Sequence, residues 1–167
     1  MTEFRGAAVL LRPVSESDVD QLRRIRYTPE VRRWWGHDEA DDWPLGDSPD
    51  VTLFTVLVDG RVAGLIQYGE VTDPQYRHAS IDLFLDPAVH GRGLGQDAVR
   101  TLARHLIDGR GHHRLVIDPA ATNDVAIRCY TAVGFRPVGI MRAYERDVDG
   151  DGWHDGLLMD LLASELT

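Results

Sequence analysis

Short apolar runs alternate with helical periodicities along this chain, and the elements they predict follow one another without a break. Ala7 to Leu11 is an apolar run halted by Arg12-Pro13 and predicts a first strand. Ser15-Glu16-Ser17-Asp18 has the form of a capping box with Asp18 in the place of the usual Glu, and Val19, Leu22 and Ile25 then recur at helical spacing. Pro29 opens a further short segment that carries Trp34 and Trp35. Gly36 to Asp50, rich in Asp, Gly and Pro, predicts a mobile loop and a candidate flap facing substrate, with Asp38, Glu39, Asp41, Asp42, Asp47 and Asp50 on it.

Two β-rich runs, Val51 to Val58 and Val62 to Tyr68, flank Asp59-Gly60, a dipeptide suited to the positive φ angles of a tight hairpin. A strand is expected from about His78 to Leu85, ended by Asp86-Pro87. Leu94, Ala98, Val99, Leu102, Ala103, Leu106 and Ile107 then mark one helical face, and Asp108-Gly109 ends it. Arg114 to Ile117 predicts a buried strand, and Asn123 to Val133 a helix stopped by Gly134. Phe135 to Arg142 and Gly156 to Leu162 predict two closing strands. The expectation is an α+β fold, a mixed sheet of six to seven strands flanked by helices, in one domain over residues 1–167.

Composition narrows the function classes. A net charge of -9 with scattered arginines makes nucleic acid an unexpected partner and favours a cationic small molecule. The same acidity also serves plain solubility. No apolar run approaches the roughly 20 residues of a membrane span, and no signal-like apolar stretch lies near the N-terminus, so a cytoplasmic protein without membrane partners is expected. Cys129 is the only cysteine, which removes an internal disulfide, and the histidines lack zinc-site spacing, so no metal is expected. Asp147 to Asp155 imitates the opening of a calcium loop, yet Leu158 stands where the bidentate Glu belongs, and a polar hairpin loop is the better reading. Monomer and homodimer both remain open.

The strongest chemical signal is His90-Gly91-Arg92-Gly93-Leu94-Gly95 between a strand and a helix. Glycines there let backbone N–H groups crowd around an anion at the positive end of a helix. A tight turn also needs glycines, but a dinucleotide fingerprint would follow the first strand of its unit, whereas four antiparallel-looking strands come first here, and the Walker lysine is missing. Arg92 reads equally as a phosphate contact or a solvated loop residue.

With Leu83 to Pro87 before the loop and Asn123, Tyr130 and Gly134-Phe135 after it, the chain resembles the GNAT superfamily of N-acetyltransferases. His90 departs from the Gln or Arg that usually opens the loop pattern, leaving the backbone cradle unaffected. The resemblance implies a splayed central strand pair whose free backbone groups bind the pantetheine arm of acetyl-CoA. It implies cofactor contacts at Phe84, Leu85, His90, Gly91, Arg92, Gly93, Leu94, Gly95, Asn123 and Ala126.

Acetyl transfer to an amine needs a proton acceptor near the ammonium and a proton donor for the leaving thiolate. Asp82, between Ile81 and Leu83, is the candidate base, since a carboxylate on an apolar strand is costly without a use; an outward-facing position is the competing reading. Tyr130 is the candidate acid, because a phenol with an ordinary pKa near 10 keeps its proton at neutral pH, and the family places a tyrosine there. Trp34-Trp35-Gly36, Gln67, Ile81-Asp82, Asp118-Pro119 and Ala126 to Tyr130 together resemble the aminoglycoside 6′-N-acetyltransferases. That resemblance implies Asp82 at the reacting amine, Asp118 at a neighbouring ammonium, and Trp35 and Gln67 along the sugar. Paired tryptophans also anchor helices, and Asp-Pro also ends strands. The competing functions are acetylation of a protein N-terminus, a lysine or another small amine, and a non-catalytic acyl-CoA-binding module.

Overall fold

The computed structural model describes residues 2–167. Its centre is one mixed sheet in which β1 (Phe4–Arg5), β2 (Val9–Pro13), β3 (Thr52–Val58), β4 (Arg61–Val71) and β5 (His78–Leu85) run side by side, each antiparallel to the next. Beyond β5 come β6 (Arg114–Ile117), then β8 (Trp153–Leu162) and, at the edge, β7 (Arg136–Arg146). The total is eight strands, above the six to seven read from the sequence, because the two-residue β1 folds back on Leu10 and Leu11.

The first long strand also starts later than its apolar run. Asp97 accepts hydrogen bonds from the N–H groups of Ala7, Ala8 and Val9 at 2.9, 2.7 and 2.9 Å, so the start of that run is tied to a helix carboxylate and pairing begins at Val9. The Asp59-Gly60 hairpin is as expected, with φ of 51° and 76° at its two turn residues.

Alternation along the strands feeds two cores. On one face α3 (Leu94–Arg104) and α4 (Asp124–Val133) cover Ile66, Ile81, Leu115 and Met159. On the other, α1 (Val19–Arg26) and α2 (Pro29–Arg32) place Leu22, Ile25 and Val31 with Leu65 and Phe84. Trp43 joins this second core at 8% exposure, and Arg23 donates to the carbonyls of Ala40 and Asp41. The expected mobile flap is therefore pinned at its centre.

Only Ala79↔Leu115 and Ser80↔Val116 pair β5 with β6, in parallel register. Past these residues the strands separate, while β6 keeps its antiparallel partner β8 through Ile117↔Met159. The gap opens beside Asp82 on one strand and Asp118 beyond the other.

Away from the gap, Glu70 accepts two hydrogen bonds from Arg110, at 2.9 and 2.7 Å, and lies 2.6 Å from the buried His112 ring. The Arg110 contact chiefly, then His112, holds its carboxyl down at about 2 against an ordinary 4.5. A lowered carboxylate stabilises the fold above its unfolded pKa and loses that contribution as pH falls through the folded value. Acid unfolding is therefore expected to steepen between pH 4.5 and about 2. Glu70→Gln is expected to cost about 2 kcal/mol near neutrality and to flatten this part of a urea-stability profile, and an unaltered profile contradicts the assignment.

Candidate active site

The glycine loop is shaped by the sign of φ. Gly91 and Gly93 adopt φ of 79° and 73°, and a Cβ at either would meet nothing within 4 Å, so backbone conformation and not crowding selects glycine there. Gly93 is the N-cap of α3, whose first N–H groups have no intrahelical partner and face an anion favourably. Gly95 answers a different need: a Cβ would lie 3.3 Å from the Cys129 sulfur, so it also permits α3 to approach α4. The loop's start is fixed by Asp86, which accepts from Ala88 N–H at 3.0 Å and from Arg24 at 2.6 Å.

One cavity of about 1080 Å³ runs from this loop through the gap between β5 and β6 to the flap. Phe84, Leu85, His90, Gly91, Gly93, Leu94, Gly95, Asn123 and Ala126 line it at the loop end, and Trp35, Asp82, Asp118 and Tyr130 farther along. Two residues read from the sequence stand apart. Arg92 does not line the cavity, its side chain being exposed on the outer side of the loop. Gln67 does not line it either; it sits half-buried opposite Asp82 in the β4–β5 register. Asn123 caps α4, its side-chain oxygen accepting from Ala126 N–H at 3.2 Å, which leaves its amide hydrogens for a ligand.

Asp86 N–H bonds Ala63 of β4, so by strand alternation the backbone groups of Leu83 and Leu85 face the gap. Three side chains engage them. Leu83 N–H donates to Asp82 Oδ1 at 3.0 Å, Trp35 Nε1 donates to the Leu83 carbonyl at 3.1 Å, and His90 Nε2 donates to the Leu85 carbonyl at 2.9 Å. A strand-like ligand pairing along β5 exchanges these contacts for its own, which ties its binding to the positions of Asp82, Trp35 and His90. The His90 contact supplies a local use for the residue that departs from the family loop.

Asp82 is exposed to the cleft, whose walls stand close around its carboxyl. That enclosure, followed by the charges of Asp118 and Glu145, pushes the carboxyl up to about 7, against the opposing Leu83 N–H and Arg26 charge. The open cleft does not cancel the effect, because its walls restrict the water that would solvate a carboxylate. A carboxyl raised toward neutrality is suited to accept a proton from an amine. Tyr130 is 8% exposed and packs edge-on to Phe135. Burial first, then the charge of Asp82, raises its phenol well above 10, so it holds its proton throughout the neutral range. Burial likewise lifts the Cys129 thiol to about 11, which disfavours a thiolate nucleophile.

The sequence reading missed several groups. Arg26 is 1% exposed, donates Nε to Glu39 at 3.0 Å and another nitrogen to the His37 carbonyl, and has no partner for Nη1 among the described residues. Its guanidinium stacks 5.7 Å from the Trp35 ring and fastens the flap to α1. Glu145 lines the cavity from β7, and Gln96 and Arg128 line it near the glycine loop. Helical periodicity, which marked only Val19, Leu22 and Ile25 here, gives no signal for a buried Arg26.

A strand that leaves its parallel neighbour, a glycine cradle at the head of the following helix, and a carboxylate and phenol facing one cleft define an acyl-CoA-dependent transferase site. The family model for the acetyltransferase (GNAT) family matches residues 17–135, and the chain belongs to that family. It is an acetyltransferase, and acetyl-CoA is its donor. An aminoglycoside N(6')-acetyltransferase type 1 from Klebsiella pneumoniae is 30% identical over 155 residues, covering 79% of this chain and 76% of that protein. Mycobacterium smegmatis RimJ in complex with CoA-disulfide shares the fold at a TM-score of 0.83 and 26% identity, covering 99% of this chain and 88% of that one. Aminoglycoside acetyltransferase AAC(6')-Ib in complex with coenzyme A and kanamycin shares it at 0.76 and 24%, covering 95% and 96%.

Among the described residues no group of three or more His, Cys, Asp or Glu side chains is arranged to hold a metal ion. The imitation calcium segment is the turn between β7 and β8, where Asp147 N–H donates to the Gly152 carbonyl at 2.9 Å and the Asp147 carboxylate accepts from His154 Nδ1 at 2.9 Å. No helix of the described residues is long and apolar enough to cross a membrane.

Proposed function

We propose that this chain transfers an acetyl group from acetyl-CoA to a primary amine of a cationic small molecule, the 6′-amine of an aminoglycoside in particular, and that residues 1–167 act as a single catalytic domain. The observation that carries the reading is the acidic far end of the cleft, where Asp82, Asp118 and Glu145 share one wall system with Trp35. A polyamine sugar presents ammonium groups to carboxylates and hydroxyl-bearing faces to an aromatic ring. The 30% identical aminoglycoside acetyltransferase supports the same acceptor.

The residues divide the work as follows. Acetyl-CoA supplies an activated thioester carbonyl. The loop from His90 to Gly95, with Asn123, binds the donor's phosphate and pantetheine portions, and Phe84, Leu85 and Ala126 border its path. Asp82, ionised above about pH 7, takes a proton from the acceptor ammonium and so frees the nucleophilic lone pair. Asp118 holds a second ammonium, and Trp35 lies along the sugar. Tyr130 keeps its phenolic proton available for the departing sulfur. Gln67, implied along the sugar, stands one strand away opposite Asp82, and Arg92 adds positive charge outside the loop. Such an activity would make the protein an antibiotic-resistance determinant working in the cytoplasm, where acetyl-CoA is available.

A 32% identity over 91 residues, 54% of each chain, to an N-alpha-acetyltransferase RimI of Mycobacterium tuberculosis favours one competing acceptor, a protein N-terminus. A panel of kanamycin, tobramycin, spermidine, acetyl-lysine precursors and N-terminal peptides, followed by release of free CoA thiol, separates the two. The proposal expects kcat/KM for kanamycin or tobramycin at least about tenfold above every peptide, a difference of about 1.4 kcal/mol in transition-state binding. Turnover of a peptide without turnover of either aminoglycoside defeats it. Binding of acetyl-CoA without turnover of any amine would instead indicate a sensor module.

A further inference from the structure

Asp118 stands just past the end of β6, and its backbone is held on both sides: Ile117 pairs with Met159, and Leu157 N–H donates to the Pro119 carbonyl at 2.8 Å. Its side chain is aimed by a residue far away in the sequence. Tyr144 Oη donates to Asp118 Oδ2 at 2.6 Å. This contact is built into the β7–β8 ribbon. Between the pairs Met141↔Gly156 and Glu145↔His154 the register shifts, so that residues 142–144 of β7 stand against Asp155 alone.

Three features hold that bulge in shape. Ala143 takes φ of 47°, uncommon for a residue with a Cβ, and its N–H donates to Asp155 Oδ1 at 2.8 Å. Gly156 leaves room for the tyrosine ring, since a Cβ there would come within 2.9 Å of Tyr144 Cδ2. Glu145, the next residue, turns into the cleft. A plain ladder would alternate Tyr144 with its neighbours on the two sheet faces; the bulge re-aims it across β8 toward the strand gap.

We infer that Tyr144 is a positioning residue for acceptor recognition: by occupying Oδ2 of Asp118 it turns Oδ1 toward a second ammonium of the acceptor and so selects polycationic amines over monoamines. This rests on the proposed role of Asp118 at the acceptor. Charge-assisted hydrogen bonds of this kind fix a carboxylate's orientation without consuming its charge, and the phenol contributes no competing cation. Tyr144 is 46% exposed, so the hydroxyl is dispensable to the core, which makes its removal a test of function more than of folding.

The test compares Tyr144→Phe, Asp118→Ala and the double variant, using kanamycin and, as monoamine probe, 6-amino-6-deoxyglucose. Affinity for CoA, measured by calorimetry, reports folding and is expected to be unchanged, since the ring that fills the space over Gly156 is retained. For Tyr144→Phe, KM for kanamycin is expected to rise about three- to tenfold with kcat within twofold, and KM for the monoamine to stay put. In the Asp118→Ala background the Phe substitution is expected to add nothing, the signature of one residue acting through the other. If Asp118→Ala raises KM for kanamycin but Tyr144→Phe does not, or if the two effects add, the inference about Tyr144 is overturned and the role of Asp118 stands. If Asp118→Ala leaves that KM unchanged, or kanamycin is not turned over by the unaltered protein, the acceptor reading fails and takes this inference with it.

Discussion

Replacing Asp82 with Asn is expected to lower kcat by about a hundred- to a thousandfold while leaving CoA affinity intact, the range for loss of a positioned general base. The substitution keeps the size of the side chain and its ability to accept from Leu83 N–H, so the end of β5 and the glycine loop keep their shape. What disappears is a carboxylate whose pKa has been moved to about 7 by enclosure and by the neighbouring charge of Asp118. In the unaltered enzyme kcat/KM is therefore expected to rise with pH through about 7, as Asp82 loses its proton, and this acid limb is expected to be absent from the residual activity of Asp82→Asn. The sign for stability is opposite to that of Glu70. A carboxyl with a raised folded pKa opposes folding once pH exceeds its unfolded value near 3.8, and increasingly so up to about 7. Asp82→Asn is accordingly expected to melt at a higher temperature than the unaltered protein at pH 8. A variant both more stable and far less active separates a chemical role from a structural one; equal activity at pH 8 would return Asp82 to the outward-facing strand residue that alternation also allowed.

Tyr130→Phe is expected to reduce kcat by about a hundredfold with KM for the acceptor within twofold. The ring sits in the main core against Phe135, and phenylalanine preserves that packing, so the melting temperature is expected to stay within a few degrees. Only the hydroxyl, the proposed proton donor, is removed. Burial and the charge of Asp82 keep the phenol protonated in the unaltered enzyme, so its loss does not introduce a new limb in the pH profile below pH 9. Stopped-flow release of CoA thiol in a single turnover isolates this step from product dissociation. An unchanged single-turnover rate would assign proton donation elsewhere and leave Tyr130 as a core aromatic.

These effects depend on groups that differ in how plainly the chain announces them. Local chemistry was legible. Asp59-Gly60, Gly91 and Gly93 require positive φ within a few residues of a strand end, and Asn123 stands where a helix must be capped, so each reveals its place from its immediate neighbours. The proposed roles of Asp82 and Tyr130 lean on the family pattern, with the cost of a carboxylate on an apolar strand as added support for Asp82, since strand alternation by itself is equally content with Asp82 pointing away from any site.

The remainder was hidden for three physical reasons. Long-range polar contacts leave no periodic trace: Tyr144 meets Asp118 across 26 positions, and Asp97 holds Ala7 across 90. Irregular backbone breaks the period on which strand reading relies, as where the register shift beyond Met141 turns Tyr144 and Glu145 from alternating edge residues into parts of the cleft. Composition also misleads about motion. The Gly36 to Asp50 stretch has the residues of a loose flap, but Trp43 is buried beside Phe84 and Arg26 grips Glu39, so a single aromatic and a buried guanidinium override the loop's polarity.

The cleft also explains why donor and acceptor were legible to different degrees. A pyrophosphate is met by backbone N–H groups, and the glycines that arrange them leave a compact signature. The proposed acceptor site draws instead on side chains from the segment after α2, from β5, from the end of β6 and from β7, which converge only after the sheet has formed. Acidity at that end is a property of the assembled cleft more than of any segment.

The most direct test of acetyl transfer to a polycationic sugar amine is one competition reaction containing acetyl-CoA, kanamycin and an equimolar N-terminal peptide, with the products mapped by mass spectrometry and two-dimensional NMR. The cleft described above predicts a single new acetamide on kanamycin, at the 6′ nitrogen, with the peptide unmodified. Acetyl groups found on the peptide with kanamycin untouched would contradict it.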